Sequence, residues 1–227
     1  MRPLAAEAIG TFFLVFAGTG TVIVNDLNGA AGLVGIALAF GLVVFTLIEA
    51  FGDVSGAHFN PAVTLGFCLA GRFPLRRVPG YVIGQCVGAF GASLLLKTLF
   101  RGHPTLGATG PSGPAWQSLI FEILMTAWLM IVILAVSTGS KEKGIVAGLA
   151  IGAAVALDVL FGGPVSGASM NPARSLAPAL CAPWGHHLWI YLLGPLVGAG
   201  LAVLCFALVR GFRSPSGPGA TTEGSSR

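Results

Sequence analysis

Two short apolar segments, residues 60–70 and 171–182, each open on Asn-Pro-Ala and are set among six much longer apolar runs. Few folds can accommodate that arrangement. The long runs cover residues 4–24, 32–52, 78–100, 116–138, 144–162 and 187–209. Each is close to the roughly 20 apolar residues that a helix needs to cross a bilayer. The two short segments cannot cross. Composition supports a lipid environment: 55% of residues are hydrophobic and 9% are charged, against about 25% charged in a soluble domain. So few charges cannot solvate a globular surface. The net charge of +4 is spread over Lys and Arg at the ends of apolar runs, with no basic stretch, so nucleic acid is not an expected partner.

The halves of the chain repeat. Ser55-Gly56-Ala57-His58-Phe59-Asn60-Pro61-Ala62 is matched by Ser166-Gly167-Ala168-Ser169-Met170-Asn171-Pro172-Ala173. Downstream, Tyr81, Gly84 and Gly88-Ala89 match Tyr191, Gly194 and Gly198-Ala199; upstream, Glu7 with Thr11 matches Glu122 with Thr126. Corresponding points are separated by three spans, an odd number, so the second copy must enter the membrane upside down. Inverted repeats place a shared site near the midplane, often where broken helices meet.

Asn-Pro-Ala is a strong helix start, because Asn caps free backbone amides and Pro suits the first helical position. Two such starts in an inverted repeat imply two half-helices dipping into the bundle from opposite faces. Non-helical backbone at that depth must be buried in protein or line a wet cavity. Each half-helix N-terminus carries about +0.5 charge, and the amides of Asn60 and Asn171 add donors in the same space. A water molecule there accepts bonds from both, while the positive helix ends repel cations and protons.

Basic residues orient the spans. Arg2, Arg72, Arg76, Arg77, Lys141, Lys143, Arg210, Arg213 and Arg227 fall on the side of the termini, and Arg101 with Lys97 on the other. The positive-inside rule then puts both termini in the cytoplasm, in a plasma (inner) membrane, and the loop 103–114 outside. Residues 1–209 form one channel domain with repeats over about 1–100 and 116–209, followed by a flexible cytoplasmic tail, 210–227. Cys68, Cys86, Cys181 and Cys205 form no CxxC pair and read as buried thiols; no metal site and no cofactor is expected. The chain carries no HExxH motif and no recognisable nucleophile triad, so an enzyme is not expected either. An alternating-access carrier can also be built from inverted repeats, but the chain lacks an acidic ion-coupling cluster.

In these motifs the chain resembles the aquaporin, or major intrinsic protein, family from about residue 4 to 209. The resemblance implies an all-α membrane protein with six spanning helices, two re-entrant half-helices, one pore per subunit and a homotetramer. It also implies a selectivity filter at four positions: Phe40, Val159, Ala168 and Arg174. The pore motifs are Asn60, Pro61 and Ala62 with Asn171, Pro172 and Ala173, and Glu7 and Glu122 read as structural acceptors for loop amides. Gly163 to Pro172 is similar to the nodulin-like branch, where Trp is usual in place of Phe40 and Asn frequent in place of Asp158. Water-selective members usually carry His at the Val159 position, and glycerol-specialised members Asp at the Ser175 position. The expected function is passive passage of water and small neutral solutes such as glycerol, boric acid or arsenous acid, with ions excluded; a strictly water-selective channel is the alternative. Asp158 is left between two roles, accepting a loop hydrogen bond or being protonated. His58 is expected in the inner vestibule, and His186 and His187 at the outer end of the last helix.

Overall fold

The computed structural model describes residues 1–137 and 146–210. Lys141, Lys143, Arg213, Arg227 and the tail 211–227 lie outside the described residues. Among the described residues eight α-helices run α1 (Arg2–Asn28), α2 (Gly32–Ser55), α3 (Pro61–Leu69), α4 (Val78–Leu99), α5 (Ala115–Val136), α6 (Ala147–Ser166), α7 (Pro172–Cys181) and α8 (Leu188–Arg210). A single 3-10 turn, Leu75–Arg77, leads into α4. Six of these helices are long and apolar enough to cross a membrane, and among the described residues α3 and α7 are the two that are not. The fold is therefore six spans plus two half-helices in an inverted repeat.

Lipid exposure is visible in the packing. Leu38, Leu42, Ile83, Val87, Leu124, Leu149 and Leu204 are all exposed on the spans, where water would make so many large apolar side chains unfavourable. Polarity is turned inward instead: Glu7, Thr64, Gln85, Glu122, Asp158, Ser166 and Ser175 are fully buried.

The abundance of glycine has a geometric cause. Helix α1 packs on α4, and α5 packs on α8, at near backbone contact. A Cβ on Gly88 would collide with the carbonyl oxygen of Ala8, and one on Gly198 with that of Ile123. These are equivalent positions of the two repeats. In the same way α2 meets α6 where a Cβ on Gly41 would lie 2.6 Å from Gly152 O. Small residues permit such approaches between membrane helices, where dispersion and backbone contact replace the hydrophobic drive.

Three helices run three or more residues past the ends of their apolar runs: α1 reaches Asn28, past residue 24, and α2 reaches Ser55, past residue 52. The fifth apolar run ends at Gly162, before Gly163-Pro164. The helix α6 instead continues through Pro164 to Ser166. A proline this close to a helix end removes few intrahelical bonds. The carbonyls of the last turn find partners outside it: Ser112 Oγ donates to Pro164 O at 2.7 Å, and Ser112 N to Val165 O at 3.0 Å. The loop before α5 thus completes the end of α6.

Candidate pore and filter

Each half-helix begins in a loop that the chain could not hold unaided. After Gly56 (φ 85°), Ala57 and Phe59 adopt φ of 50° and 49°. After Gly167 (φ 82°), Ala168 and Met170 adopt 42° and 54°. Non-glycine residues in this region cost about 1–3 kcal/mol each. The two loops are held by a buried carboxylate apiece. Glu7 Oε1 accepts from Ser55 Oγ at 2.7 Å and His58 N at 3.0 Å, and Oε2 accepts from Phe59 N and Gln85 Nε2, both at 2.7 Å. Glu122 Oε1 accepts from Ser166 Oγ and Ser169 N, and Oε2 from Met170 N, all at 2.8 Å. Neither carboxylate reaches the cavity lining. Tyr81 and Tyr191 complete the pattern, their hydroxyls donating to Ser55 O at 2.8 Å and Ser166 O at 2.7 Å.

The repeats are not identical here. Where α4 supplies Gln85 to Glu7, the equivalent residue of α8 is Pro195, so Glu122 has one donor fewer. Gln85 was not singled out from the sequence. A glutamine in the middle of an apolar run, as at position 85, is the signal that could have found it.

The half-helices abut at their N-termini. Asn60 Oδ1 accepts from Ala62 N at 2.8 Å, and Asn171 Oδ1 from Ala173 N at 3.0 Å and Arg174 N at 3.3 Å. The amide nitrogens cross over: Asn60 Nδ2 donates to Met170 O at 2.7 Å, and Asn171 Nδ2 to Phe59 O at 2.9 Å. Each asparagine therefore ties its own cap to the opposite loop. An amide nitrogen has two hydrogens, so one on each side remains for a passing molecule. Both residues line a cavity of about 150 Å³.

The cavity runs from Ser137 and Ala147 at one end, past His58, Asn60 and Asn171, to Phe40, Ala168 and Arg174. Its wall is mostly aliphatic, with Leu14, Val44, Val63, Ile133 and Ile151 among the lining residues. Arg174 is 3% exposed. Its guanidinium carbon lies 5.1 Å from the centroid of the Phe40 ring, and its Nη1 donates to Gly107 O at 2.9 Å. The structure thus brings together three of the four expected filter residues at one end. Val159 is buried in the same apolar cluster as Phe40 and Ala168. It lies about one turn beyond Val155, the last residue of α6 on the cavity wall.

Asp158 is fully buried, and neither of its carboxyl oxygens has a hydrogen-bond partner among the described residues. Among the described residues it accepts no loop hydrogen bond. His58 lines the cavity, bonds Thr64 Oγ1 through Nδ1 at 3.1 Å, and stacks on Phe67 at 4.7 Å. At the equivalent positions of the second repeat, Ser169 Oγ bonds Ser175 Oγ at 2.5 Å, and Ser175 Oγ bonds Thr109 Oγ1 at 2.7 Å. His186 and His187 are exposed just before α8. The loop residues Gly107 and Thr109 were invisible to sequence reasoning, because a carbonyl that serves an arginine 67 positions away leaves no mark on composition.

A bundle of six spans with two half-helices meeting nose to nose around a narrow, weakly polar passage defines a membrane channel. The comparisons agree. The family model for major intrinsic proteins matches residues 1–206, and the chain belongs to that family of channels. It is similar to Aquaporin NIP1-4 of Oryza sativa subsp. japonica, with 48% identity covering 92% of this chain and 77% of that protein. Nodulin-26 of Glycine max is 46% identical, covering 92% and 78% respectively. Among solved structures, the aquaglyceroporin from Plasmodium falciparum superposes with a TM-score of 0.77 at 27% identity, over 91% of this chain and 94% of that one.

Proposed function

We propose that the chain conducts water and small neutral solutes passively and excludes ions and protons. The observation that carries this reading is the pair of asparagines. Each uses one amide hydrogen on the opposite loop, which holds the other directed at the passage. A water between Asn60 and Asn171 has its oxygen turned toward two donors and two positive helix ends, so a continuous proton wire through it is interrupted. Aliphatic walls elsewhere give few binding partners and let molecules leave quickly. Phe40, Val159, Ala168 and Arg174 form the filter, with Arg174 as its fixed charge and Val159 closing the wall above Val155. Glu7 and Glu122 hold the half-helices in place.

Solute range follows from side-chain size. Valine at position 159 is smaller than histidine and offers no hydrogen bond, and Ala168 keeps the adjacent wall small. Phe40 then faces the carbon side of a solute while Arg174 donates to its hydroxyls. That geometry suits glycerol and undissociated boric or arsenous acid. The name of the related aquaglyceroporin points the same way for glycerol. Residues 1–209 act as one channel domain in a homotetramer, in the plasma membrane, with both termini cytoplasmic.

Stopped-flow shrinkage of proteoliposomes tests both parts. Purified protein is expected to accelerate osmotic shrinkage over empty vesicles, with weak temperature dependence. Folded protein that gives no acceleration removes the channel reading. Labelled glycerol and arsenite are expected to enter wild-type vesicles, and Val159→His is expected to reduce that uptake by roughly tenfold or more, comparable to the loss of about 1.4 kcal/mol at the constriction. If wild type excludes both solutes as fully as the histidine variant while water flows, the channel is water-selective.

A further inference from the structure

Arg174 makes one side-chain hydrogen bond among the described residues, to Gly107 O. The position of that carbonyl therefore sets the position of the filter charge. Gly107 sits in the loop between α4 and α5, pressed on Thr19 of α1, where a Cβ would come within 2.9 Å of the Thr19 side chain. Its neighbour Leu106 is 2% exposed, adopts φ 51°, and packs with Ile23, Leu96 and Cys181. Leu106 N donates to Nδ1 of His103 at 3.1 Å. On the far side of the ring, Nε2 lies 3.5 Å from Asp26 Oδ2, and the imidazole side chain is 4% exposed.

This pairing selects one tautomer. A ring nitrogen that accepts from a backbone amide carries no hydrogen, so Nδ1 is bare and Nε2 holds the proton toward Asp26. A second proton can go only on Nδ1. It would face the Leu106 N–H, donor against donor, while the attraction between the ring and Asp26 grows. The ring would then keep Asp26 and release Leu106. The other charged groups at this end are Lys97, whose Nζ donates to Cys181 O at 2.7 Å, and Arg101, exposed two residues before His103. Both are cations, so among the described residues Asp26 is the carboxylate that can stabilise a charged ring here.

We propose that His103 is a positioning residue for the filter: its bare Nδ1 holds the 103–107 turn so that Gly107 O can hold Arg174, and acid on that face releases both. This rests on the reading of Arg174 as a filter residue. With Gly107 O withdrawn, the guanidinium seeks acceptors in the passage beside Phe40 and narrows it. Neutral solutes and water then pass more slowly in acid.

The test is water permeability of proteoliposomes with pH clamped on both sides, from about pH 8 to about pH 5, the interval in which histidine ordinarily takes up a proton. Wild type is expected to lose permeability about fivefold toward the acid end, the factor that one neutral hydrogen bond represents. His103→Gln is expected to stay fast at every pH, because its amide oxygen can accept from Leu106 N without titrating. His103→Ala is expected to stay slow at every pH, because it offers no acceptor. His58, His186 and His187, with Asp26 and Asp158, remain in every variant, so pH dependence that persists in His103→Gln comes from a group other than His103 and overturns the proposal. A wild type that conducts equally fast across the range overturns it too. Absence of conduction at any pH would instead count against the channel reading itself.

Discussion

Glu122→Ala is expected to abolish recovery of folded protein, or to leave a bundle that no longer speeds vesicle shrinkage. The carboxylate accepts from Ser166 Oγ, Ser169 N and Met170 N, all at 2.8 Å and all buried. Alanine leaves the Ser169 and Met170 amides without acceptors at membrane depth, where water cannot replace them, and leaves Ser166 Oγ only Gly162 O at 3.4 Å. An unsatisfied buried donor costs about 1–3 kcal/mol, so the loss is about 2 kcal/mol or more, a large share of the roughly 5–15 kcal/mol that holds a typical domain. Two residues of the same loop, Ala168 and Met170, also sit at positive φ, and the bonds to Glu122 are among those that offset that strain. Glu122→Gln retains one accepting oxygen and is expected to be impaired less. Melting temperature in detergent and osmotic shrinkage both report the result. Wild-type values for Glu122→Ala would mean that the loop is held by something other than this carboxylate.

Arg174→Val is the second substitution with a large expected effect, and it acts on selectivity rather than folding. The arginine places a fixed positive charge in a passage lined mostly by aliphatic groups, 5.1 Å from the Phe40 ring. Arginine does not deprotonate in proteins, so this charge persists at every working pH. Removing it lowers the electrostatic barrier to cations and widens the opening. Proton or cation leak is expected to rise at least tenfold, which requires only about 1.4 kcal/mol off the barrier, while osmotic water flow continues. A pH-sensitive dye inside the vesicles measures the leak. If the mutant assembles, conducts water and leaks no more than wild type, the half-helix ends at Asn60 and Asn171 suffice to exclude cations. The two substitutions also separate the roles of the second Asn-Pro-Ala-Arg segment: Glu122 acts through the loop before it, and Arg174 acts in the passage.

Much of this architecture is legible along the chain because its determinants are local. A span is a matter of length and hydropathy, so six of them can be counted from the sequence. A half-helix start is a matter of Asn as cap and Pro at the first turn, and both asparagines do accept from the amides of their own first turns. The inverted relation follows from an odd number of spans between matched motifs. The acidic residues at 7 and 122 stand out because a carboxylate in an apolar run needs a partner.

What only the tertiary structure decided depends on the rotation of one helix against another, which no local pattern records. The sequence placed both asparagine amides in one space, but it could not say that each would donate to the opposite loop across about 110 residues of chain. It named Val159 without showing that Val155 is the last residue of α6 on the cavity wall. It left Asp158 open, and packing leaves both its oxygens without a hydrogen bond among the described residues. Gln85 joins Glu7 and Thr64 while its counterpart is Pro195, an asymmetry that matters only once α4 and the first re-entrant loop are packed together. The hold on Arg174 comes from the carbonyl of Gly107, and a backbone carbonyl is present at every residue. Sequence can specify which groups are unusual for a membrane interior; only the assembled bundle brings an ordinary backbone oxygen to the one charge that requires it.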